Sequence, residues 1–139
     1  MTPTGCFLYR STATVDQAAA AARAILAEAR QRNLRLDLTG YLHLEDGVFY
    51  QWLEGPPEPL AQVEAMIRRD PRHRDMHVLF RGTQASRKFG DWQMGFGVSD
   101  PGTLFEWIAR KGVSPMNAAH FSTGILAFMQ GMQTGNAAI

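Results

Sequence analysis

The chain has 139 residues, and its 14 Lys and Arg side chains nearly balance its 13 Asp and Glu side chains. A chain of this length forms one core, and a hydrophobic content of 45% excludes a disordered chain. The near-neutral charge argues against a nucleic-acid-binding module, and a single Cys excludes a disulfide framework or a multi-Cys metal site. Because no apolar run is long enough to span a membrane and no signal-peptide pattern opens the chain, we expect a cytoplasmic protein.

The first half of the chain predicts a strand, a helix and a β-hairpin. We assign the strand to residues 5–11 and the helix to residues 15–32, where apolar residues follow helical spacing. Two apolar arms, residues 36–45 and 48–54, flank an Asp-Gly pair. Asp-Gly is a strong signal for a two-residue hairpin turn, so the two arms should pair.

A second helix and two further strands follow the hairpin. Pro59 suits the first turn of this helix, and Asp70-Pro71 ends it because the residue before a proline disfavours helix. Residues 76–83 predict the first of these strands, and residues 89–98 contain the second. The order β-α-β-β-α-β-β is typical of a ferredoxin-like α+β sandwich, with two helices on one face of a mixed five-stranded sheet.

Residues 99–139 predict a helical extension that belongs to the same compact unit as residues 1–98. Thr103 to Glu106 has capping-box spacing and opens one helix, and Ser114-Pro115 opens another. The apolar residues of these helices can cover the sheet face that the first two helices leave bare, to which Trp52 points. They either complete the core or also transmit a signal.

Two polar side chains stand on strand faces that are otherwise apolar. Tyr9 shares a face with Phe7, and a buried phenol needs a hydrogen-bond partner. Gln51 shares a face with Phe49 and Leu53, where an unpaired amide costs about 1–3 kcal/mol. Either Tyr9 is a core tyrosine with a satisfied hydroxyl and Gln51 lies on a solvated face, or the two residues belong to a site.

Other polar residues also allow two readings. Asn33 extends the small-residue face of the first helix, where it could border a flat ligand or cap the helix. Trp92 and Met94 share a face of the fifth strand, a pattern found more often in a core than in a cofactor wall. The end of the second helix carries a basic cluster: Arg68, Arg69, Arg72, His73 and Arg74. This cluster could bind a phosphate or complement the helix dipole. We find no nucleophile with its base and no metal-ligand cluster, so we assign no metal and expect no enzyme.

In order and spacing, these signals resemble the BLUF family, the blue-light sensors that bind FAD. The resemblance covers about residues 5–98 and rests on six blocks: Leu8 to Ser11, Ala29 to Asn33, Leu38 to Gly40, Gly47 to Gly55, Arg69 to His73, and Arg87 to Met94. It implies that residues 1–98 form a flavin-binding sensor domain. Leu44 and Tyr50 depart from the commoner Tyr and Phe of the family, which bears on colour and recovery rate more than on light sensing.

The resemblance also implies the role of each matched residue. Tyr9 would give up an electron and a proton on excitation, and Gln51 would then rearrange its hydrogen bonds to the flavin and shift the absorption to the red. Trp92 and Met94 match the strand-five pair beside this switch. The implied FAD contacts are Tyr9, Arg32, Asn33, Gln51, Asp70, Arg72, His73 and Met94.

A sensor without an attached enzyme must signal through a contact with another protein. We therefore expect a downstream protein partner rather than a nucleic acid or a membrane, and a homodimer stays open as one arrangement. The alternatives are a light-independent ferredoxin-like domain that binds or hydrolyses a small molecule, such as an acylphosphatase-like hydrolase, and a pure interaction module. A flavin spectrum that shifts reversibly under blue light separates the first reading from these alternatives.

Overall fold

The computed structural model describes residues 3–14, 18–90, 94–99, 102–110 and 118–134. These residues form five strands and four helices: β1 (Thr4–Ala13), α1 (Ala18–Leu36), β2 (Thr39–Glu45), β3 (Val48–Gly55), α2 (Pro57–Arg68), β4 (His73–Gln84), β5 (Gly95–Ser99), α3 (Thr103–Arg110) and α4 (Ala118–Thr134). Within the described segments, no helix has both the length and the apolar character needed to cross a membrane.

The strands form one mixed sheet in the order β4-β1-β3-β2-β5. β1 pairs antiparallel with β3 and β4, β2 pairs antiparallel with β3, and β5 joins parallel to β2. The predicted ferredoxin-like α+β fold is therefore confirmed. The central strand, β3, and its neighbour β1 place Gln51 and Tyr9 directly opposite each other.

Each face of the sheet carries its own packed layer. On one face α1 and α2 pack on strand residues such as Phe7, Phe49 and Leu53. On the other face α3 and α4 pack around Leu8 and Trp52. The alternation along β3 follows from the two-residue period of a strand, and the predicted orientation of Trp52 toward the C-terminal helices is confirmed.

The hairpin between β2 and β3 follows its sequence signal closely. Asp46 and Gly47 adopt φ values of 52° and 71°, as a type I′ turn requires, and β2 pairs with β3 on either side of them. At the other end of β2 the prediction is wrong, because Leu36 belongs to α1 rather than to the first hairpin arm. Asp37 turns the chain there with a φ of 58°, and the Leu38 amide donates to the Asn33 carbonyl.

β4 and β5 also differ from their predicted limits. β4 begins at His73, before the predicted residue 76, and β5 occupies Gly95–Ser99, the last part of the predicted range 89–98 and one residue beyond it. Ahead of β5, the amides of Lys88 and Phe89 donate to the Glu54 carboxylate at 2.7 and 2.8 Å. The predicted helix starts at residue 15 and at Ser114-Pro115 lie outside the described residues.

The buried Glu54 carboxylate accepts hydrogen bonds from several elements of the fold. Glu54 is 0% exposed, and it accepts hydrogen bonds from five donors: Thr39 Oγ1, Trp52 Nε1, Gln84 Nε2, Lys88 N and Phe89 N. A buried carboxylate is tolerated only when its lone pairs are satisfied in this way. Glu54 therefore ties β3 to β2, to the end of β4 and to the segment that leads into β5.

A second carboxylate ties the sheet to the C-terminal helices. Both oxygens of Glu45, at the end of β2, accept the Leu104 amide of α3 at 3.0 Å. His43 Nε2 lies 3.0 Å from Glu45 Oε1, and the His43 ring meets Phe128 of α4 edge-on. The extension is thus joined to β2 by hydrogen bonds as well as by apolar packing.

Candidate cofactor site

A cavity of about 310 Å³ lies between α1, α2 and the sheet. Its apolar lining comes from all three: Ile25, Leu42, Phe49, Met66 and Ile67. Its polar lining comprises Tyr9, Glu28, Arg32, Arg35, Gln51, Asp70, Arg72 and His73. A concave apolar site with a few convergent polar groups is the usual form of a small-molecule site.

Tyr9 and Gln51 form a buried hydrogen bond that lines this cavity. They are 4% and 1% exposed, and Tyr9 Oη donates to Gln51 Oε1 at 2.5 Å. The bond follows from the strand register, which sets the two residues opposite each other on the same face. The reading in which Gln51 lies on a solvated face is therefore wrong.

The amide end of Gln51 has a different partner. Gln51 Nε2 donates to Met94 Sδ at 3.7 Å, and Met94 is 2% exposed. Met94 lies one residue before β5 rather than inside it, so its predicted place on the strand is wrong. Trp92, the other predicted member of the pair, lies outside the described residues.

The electrostatic environment keeps the Tyr9 phenol protonated. Burial raises its pKa well above the ordinary value, the nearby Asp70 carboxylate also raises it, and the Arg32 guanidinium acts in the opposite direction. Tyr9 is therefore the donor and the Gln51 carbonyl the acceptor of their bond. The Tyr9 ring also contacts Phe7 and His73, with ring centroids 6.1 and 6.0 Å apart.

Arg32 brings a positive charge to the cavity, and Asn33 adjoins it. Desolvation lowers the pKa of the Arg32 guanidinium, and Arg32 Nε donates to Asn33 Oδ1 at 3.2 Å. Asn33 is 0% exposed and lines a neighbouring cavity of about 150 Å³ together with Asp37 and Arg87. Because α1 continues past Asn33 to Leu36, the reading of Asn33 as a helix cap is wrong.

Three arginines of the basic cluster at the end of α2 form ion pairs within the chain. Arg72 pairs with Asp70 at 2.6 Å and, across the cavity, with Glu28 of α1 at 2.7 Å. These bonds raise the pKa of Arg72 and lower that of Asp70. Arg68 and Arg74 pair with the carboxylates of Glu64 and Asp75. Arg72 therefore braces α1 against the loop after α2.

His73 braces the same region from the side of the sheet. Its Nε2 lies 2.5 Å from the Ile67 carbonyl oxygen, and its Nδ1 lies 2.7 Å from Ser11 Oγ. Because a carbonyl only accepts, Nε2 carries a proton, and in the neutral ring Nδ1 accepts from the Ser11 hydroxyl. Both ring nitrogens are thus engaged, and His73 contributes the shape of the cavity wall.

The cavity is also lined by residues that the sequence pattern did not indicate. Glu28 and Arg35 line the cavity, and Glu28 lies one helical turn before Arg32, a spacing that could have revealed it. Leu42 lines the cavity because it pairs with Gln51 across β2 and β3. Arg30 donates from Nε to the Met94 carbonyl oxygen at 3.1 Å. No sequence pattern predicts this last contact, since its partners are 64 positions apart.

Comparison with known proteins gives a consistent result. The BLUF family model, "Sensors of blue-light using FAD", matches residues 5–95. The photoactivated adenylate cyclase subunit beta of Euglena longa is 40% identical over 87 residues, which are 62% of this chain and 10% of that protein. The blue light- and temperature-regulated antirepressor BluF of Escherichia coli strain K12 is 32% identical over 83 residues, which are 60% of this chain and 21% of that protein. This chain thus spans 10% and 21% of the length of these two curated relatives.

A solved structure matches over almost its full length. The dark-state structure of BlrB, a BLUF protein, has a TM-score of 0.74 and 29% sequence identity to this chain. The match covers 91% of this chain and 98% of that one, so it extends beyond the residues matched by the family model.

Proposed function

The chain belongs to the BLUF family of blue-light sensors, and from this premise we propose that it binds FAD between α1 and α2 and senses light through Tyr9 and Gln51. The observation that carries the proposal is the buried hydrogen bond from Tyr9 Oη to Gln51 Oε1 in the wall of the cavity. BLUF domains bind flavin, and the choice of FAD over FMN follows the description of the family.

The residues around the cavity fit a flavin. Apolar side chains from α1, α2 and the sheet suit a flat ring, and the Gln51 amide offers a donor and an acceptor beside it. Arg32 and Arg35 line the cavity, and neither has a carboxylate within ion-pair distance among the described residues. They are therefore suited to the carbonyl and phosphate groups of the cofactor. Asn33 would support Arg32, and Asp70, Arg72 and His73 would form the wall at the phosphate end.

Bound flavin would supply the absorption of blue light and the power to oxidise a neighbouring phenol by one electron. Tyr9 is placed to release its proton along the bond to Gln51 once that electron has left, because an oxidised phenol is strongly acidic. Gln51 can relay the proton and rotate or tautomerise its amide. The electron and the proton then return to Tyr9, so the lasting change is the hydrogen-bonding pattern of Gln51.

The decisive experiment is a light-minus-dark absorption spectrum of the protein purified or refolded with FAD. We expect flavin bands that shift reversibly to the red under blue light, and we expect Gln51→Leu to retain the flavin but lose the shift. Gln62→Leu, which changes an exposed glutamine of α2, is the matched control and should behave as the unchanged protein does. Failure to take up FAD or FMN on refolding would contradict the proposal.

We further propose that the sensor is not itself an enzyme and passes its signal to a protein partner in the cytoplasm through α3 and α4. The contacts of Glu45 with Leu104 and of His43 with Phe128 support this route, because both join β2, which pairs with the Gln51 strand, to the extension. A pull-down in light and in darkness, with Gln51→Leu as the light-blind control, tests for such a partner. Size-exclusion chromatography in the two states tests whether a second copy of the chain fills that role.

A further inference from the structure

We propose that Arg30 is a positioning residue that holds Met94 against Gln51 and thereby sets the lifetime of the light-adapted state. The inference rests on the proposed function, in which Gln51 exchanges the donor and acceptor ends of its amide. The proposal gives a role to Arg30, which is an exposed residue of α1.

The contact that carries the inference crosses the layer between α1 and the sheet. Arg30 Nε donates to the Met94 carbonyl oxygen at 3.1 Å, which is good geometry for a charge-assisted hydrogen bond. In the part of the chain that the structure describes, no carboxylate lies within ion-pair distance of Arg30. Its charge is therefore directed to the backbone of Met94.

The backbone of Met94 needs such an anchor because it lies just outside the sheet. The ladder between β2 and β5 begins with Gly95, opposite Tyr41, so Met94 precedes the first ladder pair. Glycine follows it directly and adds backbone freedom. Met94 itself has a flexible side chain with three rotatable bonds. A bond to its carbonyl restricts the position from which the sulfur can reach Gln51.

The sulfur in turn biases the orientation of Gln51. A thioether accepts a hydrogen bond and cannot donate one, so Met94 Sδ favours the orientation in which Gln51 Nε2 faces it and Oε1 faces Tyr9. If Gln51 rotates, its oxygen faces the sulfur and this bond is lost. We assign the orientation seen in the structure to the dark state. Arg30 then favours the return of Gln51 to that state.

The test is the rate of dark recovery after a blue-light pulse, followed at the red edge of the flavin absorption. We expect Arg30→Ala to slow the recovery by about three- to tenfold, because a hydrogen bond from a charged group contributes about one order of magnitude or more in an equilibrium and exposure of Arg30 reduces this effect. Arg30→Lys keeps a donor of the same charge and should restore part of the rate. Arg23→Ala removes an exposed arginine from the same helix and should leave the rate unchanged.

A double-mutant cycle separates positioning from a general effect on the helix. In a Met94→Ala background no sulfur remains to be positioned, so Arg30→Ala should cause no further slowing. Recovery of Arg30→Ala within twofold of the unchanged protein, faster recovery, or equal slowing in both backgrounds would overturn the inference.

A second readout keeps this inference distinct from the proposed function. The side-chain amide resonances of Gln51, measured by NMR in the dark, should shift in Arg30→Ala and not in Arg23→Ala. If the unchanged protein shows no reversible red shift, the proposed function fails, whereas the Gln51 resonances still test the positioning. If the red shift is present and these resonances do not respond, the positioning role fails alone.

Discussion

Burial is the largest influence on the pKa of each tyrosine in this chain. Burial raises the pKa of all three phenols, that of Tyr41 to about 12. For Tyr9 and Tyr50 a nearby arginine acts against this shift and a nearby carboxylate adds to it. Each phenol therefore keeps its proton at neutral pH. Only Tyr9 faces a partner, Gln51, that can also change its own orientation beside a cavity.

We expect alkaline pH to unfold the protein before it ionises its tyrosines. The unfolded chain loses phenolic protons near pH 10, whereas the folded chain holds them to higher pH, so the free energy of unfolding should fall as the pH rises above about 10. Tyrosinate absorbance measured against pH, in native buffer and in urea, checks this. A native titration that overlaps the one in urea would contradict the assigned burial.

At the scale of secondary-structure elements, the attachment of α3 to β2 lies beside a buried histidine. α3 has eight residues, too few to be stable alone, and its Leu104 amide is held by the Glu45 carboxylate. His43 is 0% exposed, and its Nδ1 has no hydrogen-bond partner among the described residues. Burial outweighs the contact with Glu45 and lowers the pKa of His43. Protonation of His43 is therefore disfavoured in the folded state.

We therefore expect the free energy of unfolding to fall as the pH drops below about 6.5, the pKa of a histidine in an unfolded chain. Below that pH the unfolded chain binds a proton at His43, whereas folded His43 stays neutral. Urea unfolding at neutral and mildly acidic pH measures this loss, and His43→Gln should reduce it. His77→Gln, at an exposed position of β4, is the control. An equal reduction in both variants would show that His43 is not the source.

Some features of the secondary-structure elements follow from local sequence patterns, and others do not. The hairpin turn and the alternation that separates Gln51 from Trp52 are local patterns, and both predictions are confirmed. The hydrogen bonds from the Lys88 and Phe89 amides to the Glu54 carboxylate span 34 and 35 positions, so no local sequence pattern predicts them. The bond from Arg30 to Met94 escapes prediction for the same reason. In the candidate site, Tyr9 and Gln51 could be predicted from polarity on apolar faces, but their shared bond needed the strand register.

At the scale of the whole molecule, one sheet serves two packed layers. Gln51 lies toward the cavity, and its neighbour Trp52 lies in the cluster formed with α3 and α4. Both layers therefore pack on the same strands. This arrangement predicts that the two layers unfold together rather than one after the other.

Phe128→Ala tests this shared stability. Phe128 is 0% exposed in the α4 layer, and truncation of a buried phenylalanine costs about 3–5 kcal/mol. We expect the flavin signal and the helix signal to be lost in a single transition at a lower urea concentration. Ala127→Gly, at the neighbouring partly exposed position, controls for lost helix propensity, which costs about 1 kcal/mol. Two separate transitions would contradict a shared core.

The five hydrogen bonds that the Glu54 carboxylate accepts favour the correct register of β3 during folding. If β3 slipped by one residue against β1, every side chain on it would change faces, and Glu54 would enter the apolar layer beneath α1 and α2 with its donors left behind. A misaligned sheet would therefore bury a carboxylate without hydrogen-bond partners, which is strongly destabilising. Glu54, on the opposite face of the sheet, therefore favours the strand register in which Tyr9 lies opposite Gln51.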